Sequence, residues 1–112
     1  MSALVIFDGA GPLPVTAKFD SPLDGPAVFV LTATAWTQSA PILTGVYLVL
    51  DGNAIGSAAM CFANQNAVHL AMRPTFIDVA DLSYGSHTIE IVNASGDTIT
   101  DQNDYFQVTL LY

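Results

Sequence analysis

The apolar residues of this chain come in short alternating runs, and none shows the three-to-four-residue spacing of an amphipathic helix. The runs are rich in Val, Ile, Thr and aromatics, and Gly, Pro, Asn or Asp soon breaks each one. Alternation places every second side chain on one face of an extended backbone. A chain built this way buries its apolar half by stacking one sheet on another.

Extended segments are expected at residues 4–7, 15–19, 28–36, 45–50, 55–62, 68–72, 76–79, 87–92 and 105–112. Asp51-Gly52 between the fourth and fifth is a hairpin signal, because both residues tolerate positive φ. Gly9-Ala10-Gly11-Pro12 reads as a breaker, Asp24-Gly25-Pro26 as a turn, and Pro74 as an edge or a bend. In residues 28–36, Phe29, Leu31, Ala33 and Ala35 share one face, and Val28, Val30, Thr32, Thr34 and Trp36 the other. Apolar content on both predicts a central strand covered on each side. In residues 68–72, Val68, Leu70 and Met72 share a face opposite His69 and Ala71. Ile89 and Ile91 oppose Glu90, and Phe106, Val108, Leu110 and Tyr112 form one face of the last segment. The expectation is an all-β, antiparallel, two-sheet Greek-key sandwich occupying residues 1–112 as a single domain.

Charge narrows the function. The net charge is −8, and Lys18 and Arg73 are the only basic residues. Binding to nucleic acid or to an anionic membrane needs clustered cations, so both are excluded as partners. Only 11% of residues are charged and 52% are hydrophobic, so part of the surface is expected to lie against a partner or against copies of the chain. Cys61 is the one cysteine, which excludes an intramolecular disulfide and a thiolate cluster. Its neighbours Ala59, Met60 and Phe62 predict an inert thiol in the core. Residues 1–8 lack a positive leader, and the apolar run at 3–7 is too short for a signal peptide or a membrane span. The default location is cytoplasmic, with signal-independent export open.

Two segments carry a family resemblance. Residues 45–56, Gly-Val-Tyr-Leu-Val-Leu-Asp-Gly-Asn-Ala-Ile-Gly, resemble the hairpin of bacterial immunoglobulin-like modules, in which a strand ends in Asp51-Gly52. Residues 81–91, with Leu82, Gly85, His87, Ile89 and Ile91, resemble their later corner. With the last segment, the resemblance covers residues 28–112 and implies an immunoglobulin-like or fibronectin type III-like sandwich; a jelly roll is the rival topology. The family shares no activity, so the resemblance assigns structural roles to Asp51, Gly52, Leu82, Gly85 and His87 and no functional ones.

Few residues offer chemistry. His87 is expected to hydrogen-bond a loop backbone, and His69, on a polar face, is a candidate binding contact. Trp36 and Tyr47 are candidates for a sugar-stacking platform, with Asn64, Gln65 and Asn66 as polar partners. Asp97, Asp101 and Asp104 are weak calcium candidates, and Asp101 and Asp104 serve equally as caps of the turn into the last strand. No Gly-x-Ser-x-Gly elbow, no cysteine–histidine signature and no cofactor motif is present, so no catalytic residue and no cofactor are expected. These features point to a non-enzymatic interaction module that binds a protein or a glycan through its loops, or meets itself through an uncharged sheet face. A structural subunit of a larger assembly and a lectin-like sugar binder are the alternatives.

Overall fold

The computed structural model describes residues 1–112, and they form nine strands and no helix. In chain order these are β1 (Ala3–Ala10), β2 (Val15–Ser21), β3 (Gly25–Ala35), β4 (Ile42–Leu50), β5 (Asn53–Ala63), β6 (Leu70–Ala71), β7 (Thr75–Leu82), β8 (Gly85–Asn93) and β9 (Tyr105–Leu111). No helix is long and apolar enough to cross a membrane.

The strands divide into two antiparallel sheets. One has the order β1-β9-β3, and the far edge of β3 pairs with β7 and then with β6. The other has the order β2-β8-β4-β5. Apart from the β4–β5 hairpin and the β6–β7 link, each connection carries the chain from one sheet to the other. The result is the expected all-β Greek-key sandwich, with a strand order that follows the jelly-roll variant.

Alternation sets the core. Phe29, Leu31, Ala33 and Ala35 of β3 face Val46 and Leu48 of β4 and Ile89 and Ile91 of β8, with Phe106, Val108 and Leu110 of β9 in the same layer. All eleven are buried. Phe19 meets Phe29 edge to face at 6.0 Å, an arrangement that aromatic quadrupoles favour. The Asp51-Gly52 turn has φ values of 49° and 85°, as a tight hairpin of matching twist requires.

Three local expectations are corrected. The second face of β3 is half-buried, not covered, because β9, β7 and β6 flank the strand within its own sheet and no third layer lies over it. β-branched residues suit such a face, since neighbouring side chains shield them. The segment expected at residues 68–72 shrinks to Leu70–Ala71. Ala67, with φ 61°, turns the chain just before it, and the bend at Pro74 follows it. The break expected at residues 9–12 starts later, because Gly9 and Ala10 belong to β1 and Gly9 pairs with Phe106; the turn expected at residues 24–26 is present at Asp24, and Pro26 falls at the start of β3, where a missing N–H is tolerated.

Candidate functional site

The two-residue strand β6 builds the site. It pairs Ala71 with Thr34 and Leu70 with Ala35, so the residue before it, His69, comes level with Trp36 just past the end of β3. The two rings lie 5.8 Å apart and are tilted by 42°. On its other side Trp36 exchanges backbone hydrogen bonds with Ile99, which brings in the turn that leads to β9. That turn carries Asp101 and Asp104. Three distant parts of the chain thereby converge on the outer face of one sheet.

Asp104 anchors the cluster. It is fully buried, and its carboxylate accepts hydrogen bonds from Thr34 Oγ1 and His69 Nδ1 at Oδ1, both at 2.7 Å, and from the Asp101 N–H at Oδ2. The bond to Asp104 raises the affinity of His69 for its proton above the ordinary value; partial burial opposes this, and the Asp104 and Asp101 charges add to it. The same contact directs His69 Nε2 towards Asp101 Oδ2, 3.8 Å away. Asp101 also caps its own turn by accepting the Asn103 N–H. His69 and Asp101 stay about one-third exposed, and Trp36 is half-buried. The indole Nε1 of Trp36 is buried with no acceptor.

The ligating atoms of His69, Asp101 and Asp104 lie within 4.8 Å of one another, so these are the residues that could hold an ion. Calcium asks for six to eight oxygens. Here the Asp104 oxygens are already engaged by three donors, and one of the three groups is an imidazole. The donor set fits a hydrogen-bonded clamp better than a calcium site. Asp97 lies outside the group, in the turn that Thr98 fastens to Gly45.

The aromatic platform expected of Trp36 and Tyr47 does not form, because the two residues belong to different sheets. Tyr47 pairs with Val92 and lies on the outer face of β4. The Asn64–Asn66 loop does approach the Trp36 end of the molecule: the Asn66 side chain accepts the Ala40 N–H, and Ala67 N–H donates to the Thr37 carbonyl. Asn64 and Gln65 are exposed. Thr34 belongs to the site through its bonds to Asp104 and Tyr105, a role the sequence alone does not assign to it. As a threonine two residues before Trp36 on the outer face of β3, it carried a weak signal for a polar role there.

The second histidine serves the fold. His87 places Nδ1 at 2.6 Å from Asp51 Oδ2 and donates from Nε2 to the Ser83 carbonyl, also at 2.6 Å. Its ring stacks on Phe19. Cys61 is half-buried against the core.

No protein-family model matches the chain, and no characterised protein matches it in sequence. Solved structures share its fold. A domain within dimeric latent PorU from Porphyromonas gingivalis superposes with a TM-score of 0.59 at 13% identity, covering 96% of this chain and 11% of that one. The chain thus spans about a tenth of PorU. The CBM36-1 domain of a multidomain xylanase from the hindgut metagenome of Trinervitermes trinervoides gives 0.52 at 12% identity, with 99% and 98% of the two chains covered. A family 35 carbohydrate-binding module from Clostridium thermocellum gives 0.51 at 8% identity, with 97% and 91% covered. At these identities the likeness is one of fold.

Proposed function

We propose that the chain is a single non-enzymatic carbohydrate-binding module whose sugar contact is the Trp36 face at the end of β3. The observation that carries this reading is the placement of a partly exposed indole beside His69 and Asp101, which are also partly exposed and are held by hydrogen bonds. A flat aromatic receives the apolar face of a pyranose, and neighbouring donors and acceptors receive its hydroxyls. Here Asp101 is the acceptor, and His69 Nε2 is a donor when the ring carries its second proton. The likeness in fold to two carbohydrate-binding modules, each matched over nearly its whole length, supports the reading.

The site lacks the parts of a hydrolase. Its two carboxylates are Asp101 and Asp104, and Asp104 is buried and engaged by three hydrogen-bond donors. That leaves it no freedom to act as acid or nucleophile.

Affinity electrophoresis and a glycan array test the proposal. Retention by at least one plant or bacterial polysaccharide is expected, with loss in Trp36→Ala and no change in Tyr47→Ala. Retention is expected to be equal in calcium and in a chelator. A chain that binds no glycan, or whose Trp36→Ala variant binds unchanged, would overturn it.

A further inference from the structure

Each of the two sheets has two open edges, and the four are not alike. β1 carries Asp8, β2 carries Lys18 and Asp20, and β7 carries Asp78 and Asp81. Charges of this kind are how soluble sheets keep their edges from pairing with other chains. β5 is the longest of the four edges, and it contains no charge and no proline. A register shift around Gly56 bends its first half, but residues 59–63 pair with β4 without interruption.

The free groups on this half can be identified. Gly45 of β4 donates its N–H to Thr98 and accepts at its carbonyl from Ala94, so both its backbone groups face away from β5. Residues directly opposite in an antiparallel pair exchange both bonds or neither. Met60, opposite Gly45, therefore presents its N–H and carbonyl to the open edge, and so by alternation does Phe62. Their side chains are exposed as well, at 45% and 58%, and Leu43 beside them at 51%. An open groove of about 630 Å³ runs along this edge, with Ala71, Met72, Arg73 and Thr75 of the other sheet as its far wall.

We infer that β5 is a self-association edge, on which a second copy of the chain pairs its own β5 antiparallel about a two-fold axis through Cys61. Self-complementarity and charge select this occupant. With Cys61 opposite Cys61 of the second copy, Met60 falls opposite Phe62 of that copy, and Phe62 opposite its Met60. Both pairs then join an open donor to an open acceptor and set a thioether against an aromatic ring, a favourable contact. Two copies that each carry −8 repel wherever carboxylates meet. The β5 edge has none, and Arg73, one of only two cations, lies beside it. Trp36 and His69 lie near the same end of the molecule but in the other sheet, and neither lines this groove.

Light scattering over a dilution series from millimolar to micromolar, with amide exchange followed by NMR, tests this. The expected result is a reversible dimer in which the Met60 and Phe62 amides become protected as concentration rises. Phe62→Lys and Met60→Lys, both at exposed positions, are each expected to weaken the dimer at least tenfold with an unchanged circular dichroism spectrum. Mild oxidation is expected to cross-link the dimer through Cys61, since directly opposed non-bonded positions lie within disulfide reach. A monomer at millimolar concentration would overturn the inference. So would a dimer that both lysine variants leave intact, or one in which the Met60 and Phe62 amides exchange freely.

Discussion

His87 Nδ1 lies 2.6 Å from Asp51 Oδ2, and this contact ties the β4–β5 turn to the corner between β7 and β8. The Asp51 backbone and carboxylate also bond Thr88, so the turn is held at three points. The imidazolium can donate from both nitrogens, to Asp51 Oδ2 and to the Ser83 carbonyl, and the Ser83 hydroxyl also lies 3.3 Å from Nε2.

The pair makes stability depend on pH. The bond to Asp51 and then the Ser83 carbonyl raise the pKa of His87 above 6.5, against some desolvation. Burial pushes the Asp51 carboxyl up, but the bonds from His87 and from Thr88 N–H outweigh it and hold the group below 3.8. A raised histidine contributes stability that is complete below its unfolded value and is lost as pH rises through its folded one. A depressed carboxyl contributes above its unfolded value and loses it as pH falls. The contact is therefore strongest between the two unfolded values, 3.8 and 6.5. Asp51→Asn is expected to cost about 1 kcal/mol in that window, kept small by the exposure of Asp51. The difference in melting temperature from the wild type should narrow in alkaline buffer. A difference that is flat across pH would refute the pairing.

Asp104 is expected to be the most sensitive polar position. Asp104→Ala leaves the Thr34 hydroxyl and the Asp101 N–H without acceptors in a buried setting, at a cost of about 3 kcal/mol in urea denaturation. Asp104→Asn keeps an acceptor and should cost less. An NMR titration separates the role of Asp104 from simple packing. His69 should fall back towards 6.5 in Asp104→Asn and move less in Asp101→Asn, because the direct bond outweighs the more distant charge. Equal shifts in the two variants would contradict the geometry.

Trp36 offers a graded test. Trp36→Phe keeps a flat ring and should retain part of any glycan affinity, whereas Trp36→Ala should lose at least tenfold, the scale of one stacking contact of about 1.4 kcal/mol. Calorimetry with an oligosaccharide fragment reads both. Equal affinity of the Phe and Ala variants would show that stacking is not the contact.

The local half of this structure was legible. Alternation alone placed Ile89, Ile91, Phe106 and Val108 inside, because period two leaves only one way to bury them. Asp51-Gly52 announced its turn, because few residues accept its dihedral angles. The site was not legible as a unit. Trp36, His69 and Asp104 were each visible as candidates, yet His69 and Asp104 are 35 residues apart in the chain, and their contact depends on which sheet each strand joins. Tyr47 and Trp36 part for the same reason: residue type says what a ring can do, and topology decides what stands beside it. The outer face of β3 misled because valines and threonines suit a half-covered face as well as a buried one.

Two glycines separate backbone strain from crowding. Gly85 has φ 104°, and a Cβ there would meet nothing within 4 Å. Gly85→Ala should therefore cost about 1–3 kcal/mol, the dihedral penalty without a clash at Cβ. Gly56 has φ 64°, and a Cβ there would stand 2.7 Å from Ile77 Cγ2. Ile77 is buried, so it has little room to yield. Gly56→Val should cost markedly more than Gly56→Ala. Shortening the neighbour should also relieve the alanine: Gly56→Ala should be less damaging in an Ile77→Ala background than in the wild type. Gly85→Ala, which has no contact with Ile77, should add to Ile77→Ala without interaction. A thermodynamic cycle from four chemical denaturation curves per glycine measures both. A coupling at Gly56 indistinguishable from that at Gly85 would mean that Ile77 does not restrict the bend in β5.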